Sequence, residues 1–183
     1  MSKEINSTDQ HIDTIPKSRH RMQIGISFTV IVIALVVIFM PKKIENHASA
    51  STDTPMFKKQ GELTLADSNE KPIVSIDIEI ADDDAKREVG LMGRPVMEER
   101  QGMLFIYEEE QLTPFWMRNT ILSLDIIFIN KQRKIITIHK NTKPFSDDTY
   151  SPTEMTMFVL EVNAGFTDKY GIKEGDMVSW KKL

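Results

Sequence analysis

Three apolar, strand-like runs in the second half of this chain each carry charge: Phe115-Trp116-Met117-Arg118-Asn119-Thr120, Leu124-Asp125-Ile126-Ile127-Phe128 and Leu160-Glu161-Val162-Asn163-Ala164-Gly165. A bare charge sealed into a core costs several kcal/mol or more unless a partner compensates it. Arg118, Asp125 and Glu161 must therefore lie at a rim or find one another. The second arrangement would build a site.

The runs around them set the fold class. Leu63–Leu65 and Ile73–Ile80 read as strands, with Ile76, Ile78 and Ile80 on one face and a wet face bearing Asp77 and Glu79. Asp82-Asp83-Asp84 opens a helix to about Met92 with an inner stripe of Ala85, Val89 and Met92, and Gly90, Gly93 and Pro95 break it. Further strands are predicted at 103–107, 115–118, 124–129, 134–139, 157–163 and 177–180, with a hairpin turn at 130–133 and a short helix at 167–170. No βαβ rhythm is present. The expected class is α+β: a compact, strand-rich mixed or barrel-like sheet with two short helices, preceded by one transmembrane helix.

That preceding helix is read from residues 22–40, which contain no charge and span about 28 Å at roughly 1.5 Å per residue. Lys17, Arg19 and Arg21 precede the run; Pro41, Lys42 and Lys43 follow it. The choice lies between a retained anchor and a cleaved signal peptide. Ala48-Ser49-Ala50 offers small residues for cleavage, but it sits ten residues past a run that is long for a signal. We read residues 1–21 as a disordered tail, 22–40 as an anchor, 41–61 as a linker and 62–183 as the globular domain. The basic excess before the anchor favours a cytoplasmic N-terminus and an extracytoplasmic domain on a single-pass membrane protein.

Charge narrows the partners. Residues 1–60 carry eight Lys/Arg and five Asp/Glu, whereas residues 61–183 carry fifteen and twenty-two, a net of −7. An acidic domain does not suit a phosphate backbone, so nucleic acid is not an expected partner. The chain has no cysteine, which removes disulfide, thiol and zinc–thiolate chemistry. His139 is the one histidine of the domain, so neither a histidine-rich metal site nor a Ser–His–Asp triad is supported. No glycine loop for phosphates or dinucleotides appears. No metal or cofactor is expected.

Several motifs in order resemble one family over residues 72–181. They are Glu79-Ile80-Ala81-Asp82, Glu88-Val89-Gly90-Leu91-Met92, Gly102-Met103-Leu104-Phe105, Phe115 to Thr120, Leu124-Asp125-Ile126, Tyr150-Ser151-Pro152, Leu160 to Gly165 and Gly171-Ile172-Lys173-Glu174-Gly175-Asp176. Together they are similar to the bacterial and archaeal "domain of unknown function 192". The resemblance implies a compact, mostly β domain with small helices, often exported behind a signal or anchor. It implies no agreed activity, cofactor or catalytic residue.

The residues themselves suggest a cleft. Alternation puts Glu161 and Asn163 on one side of their strand and Trp116 and Arg118 on one side of theirs. Our expectation is that Arg118, Asp125, Glu161 and Asn163 meet, with Trp116 as a wall and Asn119 at the edge. An aromatic wall beside a few polar groups suits a small polar or sugar-like ligand, such as an envelope component. Two alternatives stand beside this binding module. One is a glycosidase-like hydrolase using Asp125 and Glu161, disfavoured because an arginine between them would hold both ionised. The other is a structural protein-interaction domain whose Arg–carboxylate pair only fixes strand register.

Overall fold

The computed structural model describes residues 56–183. The expected tail, anchor and linker up to residue 55 lie outside the described residues. Within them, no helix is long and apolar enough to cross a membrane.

Seven strands form one mixed sheet: β1 (Gly61–Ala66), β2 (Pro72–Ala81), β3 (Gln101–Gln111), β4 (Leu124–Ile129), β5 (Ile135–His139), β6 (Thr156–Asn163) and β7 (Met177–Lys182). Two short helices, α1 (Asp84–Val89) and α2 (Phe166–Tyr170), complete a strand-rich α+β fold. The strand order is β5-β4-β6-β3-β2-β1-β7, antiparallel throughout except for the β2–β3 pair. The outermost strands are joined in turn. Ile135 N–H donates to the Asp176 carbonyl, and Val178 N–H to that of Arg133, each at 2.8 Å.

Alternation explains how one sheet carries two cores. Leu104, Ile127, Ile129, Leu160 and Val162 face a central core with Leu63, Leu65, Ile76 and Ile78. Their neighbours Met103, Phe105, Ile126, Phe128 and Val159 face the other way, under a cover that includes Leu91, Met97 and Met117. Strands β3, β4 and β6 are thus buried on both faces, which is why they read as near-continuous apolar runs. Each fully buried aliphatic or aromatic side chain contributes roughly 1.5–3 kcal/mol. Gly102 lets β3 approach β6 closely, since a Cβ there would stand 2.8 Å from the Glu161 carbonyl oxygen.

Three local expectations need correction. Helix α1, capped by the Asp83 side chain on Lys86 N–H (2.8 Å), stops at Val89 and buries none of its residues. Gly90 turns the chain at φ 47°, and it is Leu91, just beyond, that reaches the core. Residues 115–118 are not a strand; only Phe115 is bridged, to Tyr150, before a turn closed by Thr120 N–H on the Met117 carbonyl (3.1 Å). Alternation still holds there, with Met117 buried and Trp116 and Arg118 exposed. Finally, Glu79 is not on a wet face. It is 8% exposed and pairs at 2.5 Å with Arg94, itself 4% exposed.

Candidate functional site

Glu161 occupies the outer face of β6, opposite Met103 of β3 and Ile126 of β4. Those neighbours are apolar. The side chain opens into a cleft of about 290 Å³ lined by Phe105 and Tyr107 of β3, Phe115 and Trp116 of the following loop, and α1. Glu161 is only 4% exposed, and no described residue bonds its carboxyl. Desolvation alone pushes its pKa up to about 8, so the group is mostly a neutral acid at pH 7.

The aromatic wall is braced from behind. Phe115 packs edge-on against Phe105 (ring centroids 5.0 Å apart) and against Phe128 (5.7 Å). Trp116, 45% exposed, carries the Arg118 guanidinium 4.3 Å from its ring centroid. Across the cleft, Arg87 donates to the Ile106 carbonyl (2.7 Å) and to Asp84 Oδ1 (2.6 Å), and its guanidinium lies 5.2 Å from the Tyr107 ring centroid. Burial raises the Tyr107 phenol above its ordinary pKa; Arg87 opposes this and Glu161 adds to it. Glu88 of α1 lines the same space. Among the described residues, no group of three His, Asp or Glu could hold a metal.

The structure brings Trp116 and Glu161 to one cleft; the other expected members lie elsewhere. Arg118 reaches neither acid. Its Nε donates to Asp147 Oδ1 at 2.7 Å, on the surface. Asp125 is fully buried on the opposite face from Glu161, because it pairs in register with Val162 while Ile126 pairs with Glu161. Its carboxylate accepts from the N–H groups of Asn141 (2.9 Å), Gly165 (3.2 Å) and Thr167 (2.9 Å) and from the Thr167 hydroxyl (2.7 Å). Such a group fixes loops and the start of α2. Asn163 donates through Nδ2 to the carbonyls of Met97 (2.8 Å) and Glu98 (3.2 Å), pinning the segment before β3. Asn119 occupies a left-handed turn position at φ 56°. Two carboxyls on opposite faces cannot flank one glycosidic bond, so the Asp125–Glu161 hydrolase loses its geometry.

Sequence reasoning missed Tyr107, Phe105, Phe115 and Arg87 as cleft residues. The alternation of Phe105 and Tyr107 was visible; that β3 lies beside β6 was not.

Known proteins agree on the fold and are silent on chemistry. Nothing among curated proteins matches the chain. A structure from Sinorhizobium meliloti 1021, described as a "putative transcription regulator", is 33% identical, with a TM-score of 0.64 over 69% of this chain and 98% of that one. A protein of unknown function from Novosphingobium aromaticivorans is also 33% identical, with a TM-score of 0.62 over 65% of this chain and 84% of the other. A family model described as "DUF192: Uncharacterized ACR" matches residues 64–180, the whole sheet but for its outermost residues. The chain belongs to the DUF192 family.

Proposed function

We propose that residues 62–183 form a ligand-binding module for a small polar, sugar-like component of the cell envelope, held outside a membrane by an anchor at residues 22–40. The observation that carries the binding reading is Glu161, a buried carboxyl without a partner among the described residues, opening into a cleft walled by Phe115, Trp116 and Tyr107. An apolar, aromatic recess with one or two polar groups at depth is the usual plan of a small-molecule site. Trp116 offers a flat, half-exposed ring for a sugar face, and the Glu161 acid can donate to a hydroxyl.

A role on DNA, which the description of the Sinorhizobium structure would suggest, does not suit this chain. Its residues 61–183 carry a net charge of −7, whereas a DNA-binding face needs a basic stripe. The membrane and export parts of the reading rest on the uncharged run and its basic flank.

The test is binding by the full chain in octaethylene glycol dodecyl ether micelles, measured by calorimetry with neutral and amino monosaccharides and glycan fragments. A probe that binds the native protein and is weakened about tenfold or more by Trp116→Ala supports the cleft. Undiminished binding in a folded Trp116→Ala protein removes it. External protease that leaves the domain intact in whole cells, but digests it after lysis, would reverse the topology.

A further inference from the structure

We propose that the ligand of this cleft is an organic cation, its ammonium group set against Glu161 and between the aromatic side chains of Phe115, Trp116 and Tyr107. This rests on the reading of the cleft as a ligand site and names the chemistry it would recognise.

Two buried carboxyls in this fold are treated differently. Asp125 shows how the fold completes a carboxylate by itself, with four donors at 2.7–3.2 Å. Glu161, at 4% exposed, receives none from the described residues. A buried carboxyl left open toward a cavity is completed by whatever fills that cavity. The remaining charges decide the sign of the occupant. The titratable and charged groups lining the cleft with Glu161 are Tyr107 on β3 and Asp84, Arg87 and Glu88 on α1. The single cation among them, Arg87, is engaged by Asp84, the Ile106 carbonyl and the Tyr107 ring. An anionic ligand would meet carboxyls with no uncommitted cation. A cationic one would meet aromatic rings whose faces attract positive charge. At the rim, the Arg118 guanidinium stands 4.3 Å from the Trp116 ring centroid and is itself engaged by Asp147, so a ligand ammonium would rely on Phe115, Tyr107 and the uncovered part of the Trp116 ring.

Binding has a proton balance. Burial alone keeps the proton on the Glu161 acid up to about pH 8. An ammonium stabilises the carboxylate, so the complex forms with release of one proton to solvent below that pH. Affinity for a cation of fixed charge then rises about tenfold per pH unit below 8 and levels above it, by linkage.

The experiment uses choline, which does not titrate, and its uncharged isostere 3,3-dimethylbutan-1-ol. Both are titrated by calorimetry into the full chain in octaethylene glycol dodecyl ether micelles at pH 6, 7 and 9. The expected result is choline binding at least tenfold tighter than the isostere, strengthening about tenfold from pH 6 to 7. Glu161→Gln should remove both the preference and the pH slope. Should that variant not fold, Trp116→Ala, altered at a half-exposed position, should weaken choline while keeping the slope. Equal binding of the two probes overturns the cation and leaves the cleft as a neutral-ligand site; a choline preference without pH dependence overturns the coupling to a protonated Glu161. Neither probe binding while a neutral saccharide does also overturns the cation alone. Failure of both probes and of every saccharide overturns the cleft with it.

Discussion

Asp125 and Glu161 sit one register step apart on adjacent strands and point to opposite faces of the sheet, because Asp125 lies beside Val162 and Glu161 beside Ile126. Both are buried. One is saturated by donors and the other has none among the described residues, so the two acids should respond to mutation in contrary ways.

Asp125→Ala strands three backbone N–H groups and the Thr167 hydroxyl in the interior. An expected loss of about 3–5 kcal/mol follows from leaving that many buried donors unsatisfied. Asp125→Asn keeps one acceptor and should lose less. Urea unfolding at pH 7 measures both; a change below about 1 kcal/mol for Asp125→Ala would contradict the arrangement.

For Glu161 the folded-state pKa stands above the ordinary carboxylate value of 4.5, at about 8. The folded protein therefore holds a proton that the unfolded chain has lost across this window. Stability attached to the protonated group is fully present below about 4.5 and declines as pH rises to about 8. Over that span the native protein should lose a few kcal/mol relative to Glu161→Gln, at roughly 1.4 kcal/mol for each pH step of one. Unfolding of the two proteins at pH 5 and 8.5 reads this directly; parallel pH profiles would count against it.

Gly102→Ala should destabilise without touching the cleft. Its Cβ would stand 2.8 Å from the Glu161 carbonyl oxygen, a backbone atom that cannot rotate away. Overpacking of this kind costs about 1–3 kcal/mol, which lowers Tm by several degrees in a domain this size. An unchanged Tm would mean that β3 and β6 are further apart.

The Glu79–Arg94 pair makes a different demand. Glu79 also accepts from Lys58 N–H at 2.8 Å, whereas Arg94 Nε and Nη1 find no described partner. Arg94→Ala alone leaves a buried carboxylate uncompensated, at an expected loss of about 3–5 kcal/mol. Replacing both, Arg94→Met with Glu79→Leu, should recover most of that loss, since a buried ion pair is worth little over apolar packing. A double variant as unstable as the single one would show the pair to be needed for more than mutual neutralisation.

What could be read in advance follows from period. Ile76, Ile78 and Ile80 announce β2, and Asn130 to Arg133 announce the β4–β5 turn, because each signal lies within a few residues. Phe115 to Arg118 alternate as a strand would, yet only Phe115 gains a ladder partner. Local pattern reports which side chains share a face, and pairing is decided elsewhere. The site fared likewise. Trp116 and Glu161 were legible as an aromatic and a charge in apolar company. Their separation from Asp125 depended on the β4–β6 register, and a shift of one residue there exchanges the faces. Arg118 drew attention as a partner for the acids because Asp147, 29 residues on, carries no signal that it would reach back.

Strand β1 lies against β7, so that Gly61 pairs with Lys182 and the N–H of Leu183 donates to the Gln60 carbonyl at 2.9 Å. The domain therefore begins and finishes at one spot. A short bridge could splice those two ends, with new termini opened in an exposed turn such as 67–71, and the rearranged chain should still fold. A reporter fused after Leu183 would ride beside the first strand, marking the place where the polypeptide arrives.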